Sequence, residues 1–354
     1  MLEALAISAI VLATLLLAGA LYHALGAAAD LRRHPPPGRR IDVGGHRLHL
    51  WTSGVASPTV VFEAGLPGSV LGWTHILPEL SRFARVAAYD RAGLGWSDAG
   101  PEPRSAERIV SELRTLLQRA GIPPPYVLVG HSFGGLTTRL FAARFPDEVA
   151  GLVLVDPIGP REWVPLCEGE RRRLASGAKL CRRTAWLARF GVARAVAALV
   201  RMGAYDLTRH AVSLMSTGLL RDAASTVAPL RKLPPADRSI VAMFWIEPKF
   251  YRALASQIES IPQSAAQVMR AGDRLDDKPV IVISAADTEP ERLAEQISIA
   301  RLSSRGRHRI ARASGHWIQL DEPALVTGAI LELLADLRRA TAPPLRPPLG
   351  PFIH

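Results

Sequence analysis

"YVLVGHSFGGL" runs from Tyr126 to Leu136. The apolar stretch Tyr126-Val127-Leu128-Val129 stops at Gly130, and a helical pattern begins just after Ser132. Glycine at such a junction is common punctuation between a strand and a helix. Gly-x-Ser-x-Gly in that setting is more specific, because the turn lifts the serine oxygen above the strand end. Ser132 is therefore the candidate nucleophile. Gly130 and Gly134 leave space where strand and helix crowd the turn. The Phe133 amide, close to a helix N-terminus, is a candidate donor to an oxyanion.

A serine hydroxyl is a weak nucleophile and needs a base beside it. The chain has 10 histidines. His316 stands in "ARASGHWIQLDEP", after a strand-like run at 307–312 and before the last helical pattern, which places it on a loop. It is the expected base. His131 adjoins the serine, so its side chain should point away and be structural or pocket-lining. A carboxylate that orients the imidazole should lie between serine and histidine in the chain. Asp287, at the end of "PVIVISAAD", is the first choice; Asp156, after "GLVLV", is the second and Glu289 the third. The turn "EAGLPGS" offers Leu66 N–H as the second oxyanion donor, with Gly65 and Gly68 allowing a close backbone approach.

Outward from this centre the chain alternates between strand and helix patterns. Runs at 46–51, 59–64, 85–90, 126–131, 151–156 and 279–284 read as strands, the first at a half-exposed edge. Helical periodicity fills 104–119, 133–145, 290–304 and 322–339. Short, wholly apolar strands separated by helices imply an α/β fold with a parallel sheet covered on both faces. Residues 157–277 hold no strand pattern and are too long for a loop, so they read as an inserted helical lid. "YDRAGLGWSD" at 89–98 begins like a dinucleotide fingerprint, but Asp98 occupies the third glycine position and Pro101 and Pro103 delay any helix. A Rossmann site is rejected.

The 354 residues are 48% hydrophobic, enough for a substantial core. The formal net charge is +11, and only Lys179, Lys232, Lys249 and Lys278 are lysines. The arginines are spread along the chain and not interleaved with aromatics, which argues against nucleic acid and for a solvated surface with some attraction to lipid. Cys167 and Cys181 lack the spacing of a zinc site. They could form a short disulfide loop or remain separate thiols.

Ala4 to Leu21 is uncharged and apolar, about 27 Å as a helix, close to the thickness of a bilayer core. A cleaved signal usually opens with a basic region, whereas this chain opens Met-Leu-Glu. Residues 1–29 are therefore expected to be a retained transmembrane anchor. "LRRHPPPGRR" at 31–40 reads as a stiff basic linker, whose arginines would place the following domain in the cytoplasm. "TAPPLRPPLGPFIH" reads as an extended proline-rich tail over 341–354.

"FEAGLPGS", "AYDRAGLGWSD", "PYVLVGHSFGGL", "FPDEVAGLVLVDP" and "SGHWIQLDEPALV" together resemble the α/β-hydrolase superfamily, in particular its lid-bearing esterase and peptidase-like branch. The resemblance covers about 41–160 and 278–340 and not the lid. It implies an eight-stranded, mostly parallel sheet, no cofactor, and Ser132, His316 and Asp287 as nucleophile, base and acid. The expected function is hydrolysis of a carboxylic ester or similar acyl bond of a small-molecule substrate. Ala64-Gly65 departs from the His-Gly of many relatives at the oxyanion turn. Epoxide hydrolases and dehalogenases of this fold use an aspartate nucleophile, which Ser132 disfavours. Perhydrolases, aminopeptidases, carbon–carbon hydrolases and ligand-binding members of the fold share the same triad and stay open at this level.

Overall fold

Five of the apolar runs become adjacent parallel strands because each is buried on both faces. They are β3 (Thr59–Glu63), β4 (Val86–Tyr89), β5 (Tyr126–His131), β6 (Val149–Val155) and β7 (Val280–Ala285). In the computed structural model, which describes residues 1–201, 228–272 and 275–341, they form an eight-stranded sheet with β1 (Arg39–Asp42), β2 (Arg47–Ser53) and β8 (Gly306–Ala311). The order is β1-β2-β4-β3-β5-β6-β7-β8, and only the β1/β2 and β2/β4 pairs are antiparallel. This is the expected α/β-hydrolase architecture.

The period-2 alternation of strands sends neighbouring residues to opposite cores. Val61, Leu128 and Leu152 pack beneath α2 (Ala106–Arg119) and α3 (Gly134–Arg144). Val60, Phe62, Val129 and Val153 meet the other layer, to which the final helix contributes Val326, Ile330 and Leu333. Between β6 and β7 the described residues hold helices and no strand, as a helical lid requires. They are α4 (Glu168–Arg189), α5 (Val192–Arg201), α6 (Pro235–Phe244), α7 (Pro248–Glu259) and α8 (Ile261–Ala271). After β7 come α9 (Pro290–Ala300) and α10 (Pro323–Thr341). Residues 202–227 and 273–274 of the expected lid, and 342–354 of the expected tail, lie outside the described residues.

Two boundaries differ from the sequence reading. Helix α1 covers Leu2–Arg33, past the expected anchor, and the supposed linker supplies the edge strand β1. The edge is therefore β1 and not the run at 46–51. Distant partners cause this. Arg40 pairs with Asp98, the Pro37 carbonyl meets the His49 imidazole, and the Trp96 indole donates to the His34 carbonyl at 3.0 Å. Arg40 and the backbone of His34 and Pro37, which look solvated in sequence, are thus tied to the core, while Arg32, Arg33, Pro35 and Arg39 stay exposed. An 18-residue window of α1 has mean hydropathy 2.5 and none of it is buried, so α1 is long and apolar enough to cross a membrane. Cys167 and Cys181 are free. Cys167 caps the start of α4 and Cys181 lies within it, about 20 Å along the axis at 1.5 Å per residue, far beyond disulfide reach.

The linker contacts have a measurable consequence. Among chains lacking α1, one that begins at His34 should be more stable than one that begins at Arg39, which loses acceptors for Trp96 and His49. The expected difference is about 1–2 kcal/mol in denaturant unfolding. Equal midpoints would show that these contacts contribute nothing.

Candidate active site

Ser132 follows β5 with φ +53°, a left-handed conformation uncommon for a non-glycine residue. The surrounding backbone enforces it. The Ser132 amide donates to the Val155 carbonyl at 3.1 Å, and the Ser132 carbonyl accepts from Gly135 at 2.9 Å and Ile158 at 3.2 Å. A Cβ at position 130 would lie 2.6 Å from the Gly134 carbonyl oxygen, and one at 134 would lie 2.4 Å from the Glu63 carbonyl oxygen. Both glycines are therefore required by the close packing of strand and helix at this turn. The serine is 8% exposed.

His316 sits between β8 and a one-turn helix at Ile318–Asp321. Its Nε2 is 3.0 Å from Ser132 Oγ. Its Nδ1 is 2.5 Å from Oδ2 of Asp156. The carboxylate that meets the histidine is therefore Asp156, and the expectation for Asp287 is corrected. Asp287 and Glu289 are both exposed, and Glu289 merely precedes the first residue of α9. The reason is topological. Asp156 follows β6, the direct neighbour of the strand that leads to Ser132, whereas Asp287 follows β7, one strand further away.

The segment after β7 takes a different part. Gln296 donates to Asp156 Oδ1 at 2.8 Å, Thr288 Oγ1 approaches the same oxygen at 3.4 Å, and Arg292 reaches the Asp156 carbonyl at 3.2 Å. Burial alone would raise the Asp156 carboxyl. The hydrogen bond to His316 and the Arg292 charge override burial and hold it well below the usual carboxylate range. Asp156 thus stays ionised and can fix the imidazole with Nδ1 protonated, leaving Nε2 free to accept a proton from Ser132.

His131 is buried against His316 and Trp317. Its ring centroid lies 4.7 Å from that of His316 and 5.1 Å from that of Trp317. Its Nε2 stands 2.8 Å from the His316 carbonyl, so the acceptor assigns the proton to Nε2. Burial, with the neighbouring His316, drives its pKa down to about 3, and it remains a neutral donor at ordinary pH. It holds the loop that carries His316, which agrees with the structural role read from the sequence.

Leu66 and Phe133 carry the two amides expected to face an oxyanion; Leu66 follows Gly65 in the turn after β3, and Phe133 follows Ser132. The Gly65 backbone passes so near the serine that a Cβ there would stand 3.0 Å from Ser132 Cβ. Among the described residues, neither the Leu66 nor the Phe133 amide donates to a protein acceptor. Both remain free for a ligand oxygen. Arg91 ties the two sides together. Its guanidinium bonds the Ala64 carbonyl, reaches Glu63 Oε1 at 2.5 Å and lies 5.0 Å from the Phe133 ring centroid. It also bonds Gln257 of α7 at 3.0 Å, linking turn and lid. This residue was missed by sequence reasoning; its one signal was its place in "YDRAGLGWSD".

A small, mainly apolar cleft of about 50 Å³ lies between core and lid. Pro67, Ser69 and Trp317 form its floor, and Leu233, Phe244 and Phe250 form its roof. Ser132 is not in its wall, but Pro67 follows Leu66 and Trp317 follows His316, so the cleft opens beside both. Among the described residues no group of three or more His, Cys, Asp and Glu side chains is placed to hold a metal ion.

The family of the alpha/beta hydrolase fold matches residues 58–323, and the chain belongs to it. Its relatives agree in fold. The uncharacterized protein YqjL of Bacillus subtilis is 38% identical over 104 residues, which are 29% of this chain and 41% of YqjL. A thermophilic esterase from Thermogutta terrifontis superposes with a TM-score of 0.59 at 19% identity, covering 84% of this chain and 99% of the esterase. An epoxide hydrolase superposes with a TM-score of 0.60 at 18% identity, covering 85% of this chain and 99% of its own. The chain spans less than half the length of the curated relatives it matches. Family and site together support a hydrolase.

The Asp156–His316 contact can be tested without a substrate. A far-downfield proton resonance from His316 Nδ1–H is expected in the native protein and in Asp287→Asn. It should shift or vanish in Asp156→Asn. Loss in Asp287→Asn alone would reinstate the carboxylate favoured by the sequence.

Proposed function

We propose that the protein is a serine hydrolase that cleaves a carboxylic ester, or a similar acyl bond, through an acyl-enzyme. The observation that carries this reading is the continuous line of contacts from Ser132 Oγ through His316 to Asp156. In the first half-reaction Ser132 Oγ attacks the acyl carbon as His316 Nε2 takes its proton. The carbonyl oxygen becomes an oxyanion facing the Leu66 and Phe133 amides. Collapse of this intermediate breaks the bond to the leaving alcohol, which receives the proton from His316. In the second half-reaction water gives a proton to His316 and attacks the acyl-enzyme. Collapse releases the carboxylic acid and returns the proton to Ser132. The apolar cleft lined by Pro67 and Trp317, the chain neighbours of Leu66 and His316, favours an apolar acyl or alcohol group. A serine at position 132 weighs against the aspartate-nucleophile chemistry of epoxide hydrolysis.

We further propose that α1 anchors the enzyme in a lipid bilayer, with the exposed Arg32 and Arg33 of its last turn resting near anionic headgroups. The length of the apolar window and the absence of buried residues in it support this reading.

Hydrolysis of p-nitrophenyl esters tests the chemistry. Ser132→Ala should lower kcat by roughly 10³-fold or more, and Asp156→Asn by roughly 10⁴-fold. Asp287→Asn should stay near wild type. Wild-type turnover by Ser132→Ala would refute the proposal. The pH profile gives an independent check. A depressed carboxyl keeps its charge until the pH falls through its folded value, below the ordinary figure of about 3.9. Above about pH 4, Asp156 should therefore stay charged and add no protonation to the acid limb of the activity profile. A limb with a slope of two above that pH would show that Asp156 titrates there. For the anchor, an alkaline carbonate wash should leave the full-length chain with the membranes, and its release would exclude a spanning helix.

A further inference from the structure

Helix α5 has its polarity reversed. Arg194, the one charged residue among its described side chains, points inward and is 6% exposed. It pairs with Asp30 of α1 at 2.6 Å and with Glu247, just before α7, at 3.6 Å. The outward stripe is Val192, Ala195 and Leu199, at the i, i+3, i+7 spacing of one helix face. Val192 is 42% and Leu199 37% exposed, and Trp186 at the end of α4 is 57% exposed. A helix facing water would present the opposite pattern.

The position of α1 explains what covers this stripe. From Leu16 onward one face of α1 is partly covered, at Leu16, Gly19, His23, Gly26 and Asp30. The turn between α4 and α5 touches α1 inside its apolar segment: a Cβ at Gly19 would lie 2.3 Å from the Phe190 carbonyl oxygen. Gly19 is two residues, about 3 Å, from the end of the uncharged run at Leu21. A bilayer core needs about 30 Å of apolar helix, so a bilayer that accommodates Ala4–Leu21 reaches the turn. Val192 follows that turn immediately. Trp186 is the residue type enriched at membrane boundaries. The exposed Arg183 and Arg189 beside it suit anionic headgroups.

We infer that Trp186 and the Val192–Ala195–Leu199 stripe form an interfacial face, seated at the headgroup–acyl boundary of the bilayer that α1 crosses. This rests on the reading of α1 as an anchor. It deepens that reading, because it places the lid, and not merely the anchor, in contact with lipid. The cleft whose roof the lid forms would then receive lipophilic acyl substrates from the membrane side.

Nitroxide labels on the full-length chain in vesicles of phosphatidylcholine and phosphatidylglycerol test the inference. Single cysteines replace Val192, Ala195, Leu199 or, as a control, the exposed Gln118 of α2, in a Cys167→Ser, Cys181→Ala background. Fluorophosphonate reactivity confirms that each variant is folded. The labels at 192, 195 and 199 should be relaxed more strongly by oxygen than by a water-soluble nickel complex. The label at 118 should show the reverse. Aqueous behaviour at all four sites would overturn the inference, and so would protection of the stripe from both relaxers, the sign of a second protein copy covering it. The carbonate wash is read separately. A chain retained on the membrane with aqueous lid labels would leave the anchor standing and remove the interfacial face. A chain released by carbonate, but with lipid-exposed labels before the wash, would do the opposite.

Discussion

The His316 imidazole is the contact on which the site depends. It bridges Ser132 at 3.0 Å and Asp156 at 2.5 Å, side chains that come from three separate parts of the chain. The sheet makes the meeting possible. Strands β5 and β6 run parallel side by side, so Ser132 and Asp156 leave adjacent carboxyl ends. Both residues adopt positive φ, +53° for Ser132 and +40° for Asp156. Such backbone strain is held only where the surroundings over-determine it. Here the carbonyls and amides of the neighbouring strands and of the elbow do so. His131 then fixes the histidine's own loop from below.

A second layer of buried charge supports this first one. Asp90 is fully buried and accepts from the amides of Val70 at 2.8 Å and Trp96 at 3.0 Å, while its Oδ2 lies 2.8 Å from His49 Nδ1. Glu63 is bound by Tyr89 and Arg91. Buried charges are tolerated only when paired and hydrogen-bonded, and these pairs also tie the oxyanion turn to the strands behind it. The segment "YDRAGLGWSD" thus serves as a scaffold for the site. Through Gln257, the same network reaches α7 and the lid.

Much of this was legible in the sequence. β5 coincides with its apolar run, and Ser132 and His316 meet as the motif and chain order implied. The identity of the acid was not legible. Asp156 and Asp287 each follow an apolar strand, and the choice depends on which strand lies beside β5, a property of topology with no local signature. Strand β1 was hidden because Arg39 and Arg40 look solvated until Asp98 and β2 are in place. Arg91 was hidden for a similar reason, since its partners come from the end of β3, the turn that carries Ser132 and the lid. The reversed face of α5 appears only once Arg194 is seen to point at Asp30.

The central claim is that Ser132 is a nucleophile driven by His316. Mass-spectrometric mapping of the adduct formed with a fluorophosphonate tests it most directly, because the reagent reports the activated hydroxyl without presuming a substrate. The account predicts one modified peptide, carrying the phosphonyl group on Ser132, formed rapidly in the native protein and far more slowly in His316→Gln. No adduct, an adduct on another residue, or an unchanged rate in His316→Gln would contradict it.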